Sequence, residues 1–192
     1  MVFPEVSPDQ SHLCAHNNEP KSDAINCFVR HTDGSLDTSV ATETTPLSQP
    51  SLLFYVITSD STYVVATDGA NQVLINSVAS STNPGTGNKV SSGGQTPIGI
   101  ARTGQWIAVA NQKSNTISIF TVNSAGQLMQ AGSPVNTVSA PFRMAFSQNG
   151  NYLFVSSDSG MESFQFNTST AALSPLNGRK AVAGTARAIA AQ

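Results

Sequence analysis

A chain of 192 residues is long enough to bury a sizeable core, and one domain is the default reading. Only 10% of the residues are charged, the formal net charge is −2, and Lys and Arg are scattered rather than striped, which argues against a nucleic-acid partner. The longest apolar runs, such as 52–58 and 106–110, fall far short of the roughly 20 residues needed to cross a bilayer as a helix, so no membrane partner is expected.

The first twelve residues, MVFPEVSPDQSH, have neither a basic start nor an apolar stretch, so no signal peptide is visible and a cytoplasmic location is favoured. Cys14 and Cys27 lack CxxC spacing and read as two small core residues. Short runs rich in Val, Ile, Phe, Tyr and Thr then recur between clusters of Gly, Asn, Asp and Ser, which is the pattern of an all-β chain. Four units align on one such run: SPDQSHLCAHNN (7–18), TSDSTYVVATDG (58–69), ARTGQWIAVANQ (101–112) and SQNGNYLFVSSD (147–158). The equivalent positions Asn17, Asp68, Asn111 and Ser157 lie 51, 43 and 46 residues apart, a period that belongs to propellers and solenoids.

The strand that follows repeats as well, in 24–36, 72–78, 116–128 and 161–173. Asp33-Gly34 and Ala125-Gly126 are turn signals within it. A weaker fourth strand is expected around Val135 and Val182, and a further strand opens each next unit at 98–101, 142–146 and 188–191. Four short antiparallel strands per period make one propeller blade. The repeats fall at about 1–47, 48–96, 97–140 and 141–185, with 186–192 opening a fifth, all within a single domain. The run Trp106 to Ala110 has no polar face, as a sheet packed on both sides requires, and Ile117 and Ile119 oppose Phe120 and Val122. The polar run 111–115 reads as the turn joining the second and third strands, and the Gly-rich 83–94 as a flexible connection.

With the repeat laid out, TPIGIARTGQWIAVANQKSNTISIFTVNSAGQL (96–128) resembles the blade of the lactonase-type seven-bladed β-propellers, the 6-phosphogluconolactonase and 3-carboxymuconate cyclase-like group with YVTN-type repeats. The likeness is close from 104 to 128, good in 140–157 and 7–18, and loose in 52–78. It implies a hydrolase of carbohydrate metabolism acting on a small anionic lactone of a sugar acid or muconate type in a central pocket, without cofactor or metal. Four repeats set against seven blades lead to the expectation of an incomplete chain, inactive unless the ring is completed; a closed four-bladed ring and two chains sharing one ring are the alternatives. Open blade edges would favour self-association.

The family carries Arg and His near the starts of its innermost strands. Here Pro97 is followed by Ile98, Arg143 stands one place late after Pro141-Phe142, and Arg187 matches although its Pro has become Ala. Arg187 and Arg143 are the candidate anion holders. Glu5 and Glu162 are the candidate carboxylate bases, Glu162 being read as a solvated edge residue and Glu5 as preceding a turn. His12, His16 and His31 read as surface or strand packing. No HExxH, Walker or GxSxG motif is present. Asn167-Thr168-Ser169 is a glycosylation pattern of a kind that arises by chance in a Ser/Thr-rich chain. A non-catalytic propeller serving as a binding or interaction scaffold is the competing reading.

Overall fold

The computed structural model describes residues 4–19, 22–43, 54–67, 70–78 and 89–176. Among them every regular element is a β-strand, seventeen in all. Blade 1 contains β1 (Glu5–Val6), β2 (His12–Glu19), β3 (Ser22–Arg30) and β4 (Leu36–Glu43). Blade 2 contains β5 (Phe54–Ile57), β6 (Tyr63–Thr67), β7 (Gln72–Ser77) and β8 (Lys89–Ser91). Blade 3 contains β9 (Pro97–Thr103), β10 (Trp106–Asn111), β11 (Thr116–Val122), β12 (Leu128–Gln130) and the short β13 (Val135–Asn136). Blade 4 contains β14 (Pro141–Phe146), β15 (Tyr152–Ser157), β16 (Gly160–Asn167) and β17 (Ala172–Pro175). In each blade the strands pair antiparallel with sequence neighbours, so the first strand is one edge of its sheet.

The two-residue alternation of side chains turns this order into stacking. Along β6, Val65 packs against blade 3 and Ala66 against blade 1. Along β10, Ile107 and Val109 face blade 2, whereas Ala108 and Ala110 face blade 4. Ile117 and Ile119 likewise oppose Phe120, as the alternation predicts. Three apolar clusters thus join blade 1 to 2, 2 to 3 and 3 to 4. The last is the most aromatic: Phe166 lies tilted on Phe146 and edge-on to Trp106, whose indole Nε1 donates to the Thr168 carbonyl at 2.8 Å.

One turn recurs between first and second strands because its side chains satisfy its own backbone. Ser7, Thr58 and Ser147 each donate a hydroxyl to the carboxylate or amide oxygen two residues on (Asp9, Asp60, Asn149), at 2.6, 2.6 and 2.7 Å. The same hydroxyls accept the backbone N–H of His12, Tyr63 and Tyr152. The residue after the Asp or Asn takes positive φ in all three turns, at Gln10, Ser61 and Gly150. Hydrogen bonds from the neighbouring hydroxyls hold the Asp9 and Asp60 carboxyls below the usual carboxylate range.

Four expectations need correction. Cys14 and Cys27 form a disulfide, because the β2–β3 register sets them directly opposite, with Cα atoms 4.0 Å apart. The bridge is buried in the blade 1–2 cluster. Closing a loop of 13 residues is worth about 3 kcal/mol. Replacing both cysteines by alanine is expected to lower unfolding stability by about that amount in urea titrations, and an unchanged midpoint would contradict it.

The outer edge of blade 3 starts earlier than expected, at β12, and the weak strand expected at Val135 follows it as β13. The Asn123 side-chain oxygen accepts the N–H groups of Ala125 and Gln127 and turns the chain so that Leu128 pairs with Val122. Val135 lies in β13, which also pairs with β11. In blade 4 the fourth strand is β17, while Val182 and the strand expected at 188–191 lie outside the described residues.

The Gly-rich segment is partly strand, since β8 pairs with β7; residues 83–88 of it lie outside the described residues. Among the described residues of the segment, Gly93 and Gly94 serve close packing. A Cβ on Gly94 would sit 2.6 Å from the Asn111 side chain, and one on Gly93 would sit 2.7 Å from Ser118 Oγ.

Asn111, placed by sequence in an exposed turn, is fully buried. Its Nδ2 donates to the Ser92 carbonyl and to the Thr116 and Ser118 hydroxyls, tying the entry segment of blade 3 to its second and third strands. The turn proper is 112–115, where Asn115 takes positive φ.

Candidate active site on the inner strands

The recurring turn fixes equivalence between inner strands. The residue just before it is Val6 in blade 1, Ile57 in blade 2, Arg102 in blade 3 and Phe146 in blade 4, each paired one step inside the turn. Of these, Ile57 and Phe146 pack toward the preceding blade. One residue earlier stand Glu5, Val56, Ala101 and Ala145, and Val56 and Ala101 pack toward the following blade. Two adjacent levels are therefore apolar except for one carboxylate, in blade 1, and one guanidinium, in blade 3.

Their facing directions bring both groups to blade 2. Glu5 pairs with Cys14, which faces blade 2, and Glu5 Oε1 accepts the backbone N–H of Ile57 on β5 at 3.2 Å. Arg102 pairs with Ile107, which faces blade 2 from the other side. The two charges flank β5 and interact across it: burial raises the Glu5 pKa, while the Ile57 hydrogen bond and the Arg102 charge oppose that rise. Both side chains are half-buried. Arg102 Nε is buried without a hydrogen-bond partner among the described residues. The unfilled Arg102 donor suits an anionic or carbonyl oxygen, and the desolvated Glu5 carboxylate suits the role of proton acceptor, on opposite sides of β5.

A recess of about 360 Å³ adjoins this end of the inner strands. Thr58, Asp60 and Tyr63 line it from blade 2, and Gly104 and Gln105 from the turn that follows Arg102. Neither Glu5 nor Arg102 lines it.

The other candidates lie elsewhere. Arg143 sits near the start of β14, opposite Ser156 and just past a register shift that absorbs Phe142. Its guanidinium lies 5.2 Å from the Phe142 ring centroid, and burial lowers its pKa. It occupies the level of Gly99, at the far end of the strand from Arg102, so the structure does not bring it to Glu5. Arg187 lies outside the described residues.

Glu162 is not a solvated edge residue: it is buried, and Oε2 accepts the Val138 backbone N–H at 2.9 Å. It faces Val155 across β15–β16, the place Ser118 holds opposite Val109, and the smaller Ser157 stands where blade 3 has Asn111. The exchange of large and small residues makes room for it in the blade 3–4 interior, away from the inner strands. His12 is half-buried with Nδ1 2.7 Å from Ser11 Oγ, and His31 is exposed. The side chain of His16 lies outside what is described. Among the described residues no three His, Cys, Asp or Glu side chains gather as a metal site, and no helix is long and apolar enough to cross a membrane.

Arg102 is the residue the sequence reading passed over. The signal was present: a cation at a level where two of the other three units carry Ile57 and Phe146 as packing residues.

Residues 54–137 match the family model described as lactonase, 7-bladed β-propeller. Over that stretch, which is less than half of the chain, the sequence is similar to the lactonase-type propellers. The matched stretch runs from β5 through β13 and includes Arg102, whereas Glu5 and blade 4 lie beyond it. No curated protein matches the chain in sequence.

Among solved structures, a functionally unknown protein from Desulfotomaculum acetoxidans superposes with a TM-score of 0.71 at 18% identity, over 91% of this chain and 54% of that one. A candidate 6-phosphogluconolactonase from Bacteroides fragilis gives 0.69 at 20% identity, over 95% and 55%. One from Bacteroides uniformis gives 0.71 at 19% identity, over 95% and 55%. At these identities the likeness establishes the β-propeller fold alone. The chain spans about half the length of each of these structures, at 54 to 55%.

Proposed function

We propose that this lactonase-type propeller hydrolyses a small anionic lactone of the sugar-acid or muconate type, with Glu5 as general base and Arg102 as the cation that holds substrate. The reading is carried by the Glu5 carboxylate and the Arg102 guanidinium flanking β5. Glu5, held by the Ile57 N–H through one oxygen, takes a proton from a water that attacks the lactone carbonyl carbon. Arg102 donates to the oxygen on which negative charge develops. The ring C–O bond then breaks, and the departing alkoxide recovers the proton from Glu5 to give the hydroxy acid.

The purified protein is expected to hydrolyse 6-phosphogluconolactone or a muconolactone above the spontaneous rate, in a saturable manner. No excess rate with either substrate would sink the reading. A second reading, a non-catalytic scaffold, is favoured by Ile98 and Phe142 standing beside the prolines where the family resemblance calls for Arg or His. It gains if both lactones are inert.

A further inference from the structure

Two features outside the lactone site point to one environment. Cys14 and Cys27 are the chain's only cysteines and are bonded to each other in the core, a pairing that forms and persists in oxidising compartments. Asn167-Thr168-Ser169 is the chain's only Asn-X-Ser/Thr triplet in which X is not proline. It falls on the turn between β16 and β17, where residues 167 to 170 are all exposed.

The geometry of that turn leaves the acceptor atom available. The Asn167 side-chain oxygen accepts the backbone N–H groups of Ser169 and Thr170, at 2.9 and 3.2 Å, while its Nδ2 has no hydrogen-bond partner among the described residues. Thr168 is anchored through its carbonyl to the Trp106 indole, so the turn is pinned to blade 3 while Asn167 itself is exposed. A substituent on Nδ2 displaces no partner and enters no apolar cluster.

We propose that Asn167 carries an N-linked oligosaccharide and that the chain therefore matures in an oxidising secretory lumen, in place of the cytoplasm favoured by its first residues. The donor is an oligosaccharide on a lipid pyrophosphate. Asn167 Nδ2 forms a C–N bond with the anomeric carbon, the sugar–phosphate C–O bond breaks, the lipid pyrophosphate leaves, and the amide proton passes to a base of the transferase. The modification is independent of lactone chemistry, so either proposal survives failure of the other.

The test is intact mass of the protein secreted from eukaryotic cells, before and after peptide N-glycosidase. One glycan is expected, removed by the enzyme with conversion of Asn167 to aspartate, on a chain with no free thiol before reduction. Ser169→Ala should lose the glycan entirely and keep the fold, because Ser169 enters the turn through its backbone N–H. Ser169→Thr should retain it. Unmodified wild-type protein, or an identical mass loss from Ser169→Ala, would overturn the proposal.

Discussion

Gly99→Ala is expected to loosen blade 3 from blade 4 and to cost about 3 kcal/mol of stability, the upper range for overpacking a core. The added methyl would collide with the Phe142 carbonyl oxygen and press on Ala110 Cβ at 3.1 Å. Neither neighbour is the free end of a flexible side chain. Phe142 is held in the register shift between Pro141 and Arg143, and Arg143 N–H is bonded to Ser156 Oγ at 3.1 Å. Ala110 is fully buried in the blade 3–4 cluster. The strain therefore passes into the packing of Met144, Val155 and Phe164, and thermal unfolding should begin earlier. A midpoint equal to wild type would show that the inner strands are not packed this closely.

Glu5→Gln is expected to lower kcat/KM for lactone hydrolysis by roughly 100-fold or more, the usual range for loss of a general base. Glutamine retains an oxygen to accept the Ile57 N–H, so the side chain keeps its place and loses only its basicity. Arg102→Met should act differently, raising KM and reducing kcat together, because the guanidinium would serve both the bound anion and the developing oxyanion.

Stability separates chemistry from folding. Burial raises the Glu5 pKa, so protonated Glu5 contributes stability that is fully present below the ordinary carboxyl value and is lost as pH rises through the raised one. Glu5→Gln should match wild type in stability at low pH and be at least as stable at neutral pH. A variant that is inactive because it unfolds would show the reverse.

The propeller was legible because blade packing writes itself into sequence twice, as a period and as two-sided burial. The run Ile107 to Ala110 is buried residue by residue, alternately against blades 2 and 4. The turn at the head of each aligned unit was legible as a turn, and its Ser or Thr bonded to Asp or Asn two residues later emerged with the structure. What sequence did not reveal was register.

Cys14 and Cys27 lie 13 residues apart, and nothing in that spacing says they are directly opposite until the β2–β3 hairpin is paired. Arg102 and Glu5 lie 97 positions apart on different blades, and their placement on opposite sides of β5 depends on which face each strand turns to it. Glu162 looked like an edge carboxylate because its strand alternates polar and apolar residues, yet it falls on the same buried face as Phe164 and Phe166. Glu5 was a candidate from the sequence, and residues that break the repeat at a fixed level add Arg102 to it. A search by family motif led instead to Arg143, which sits at the other end of its strand.

The most direct test is the pH dependence of kcat/KM for lactone hydrolysis in wild type and in Glu5→Gln. The wild-type rate should rise with pH through an inflection above the ordinary carboxylate range, set by the desolvated Glu5, and the variant should lose that inflection along with the rate. The same inflection and the same rate in both proteins would contradict the assignment of Glu5 as the base.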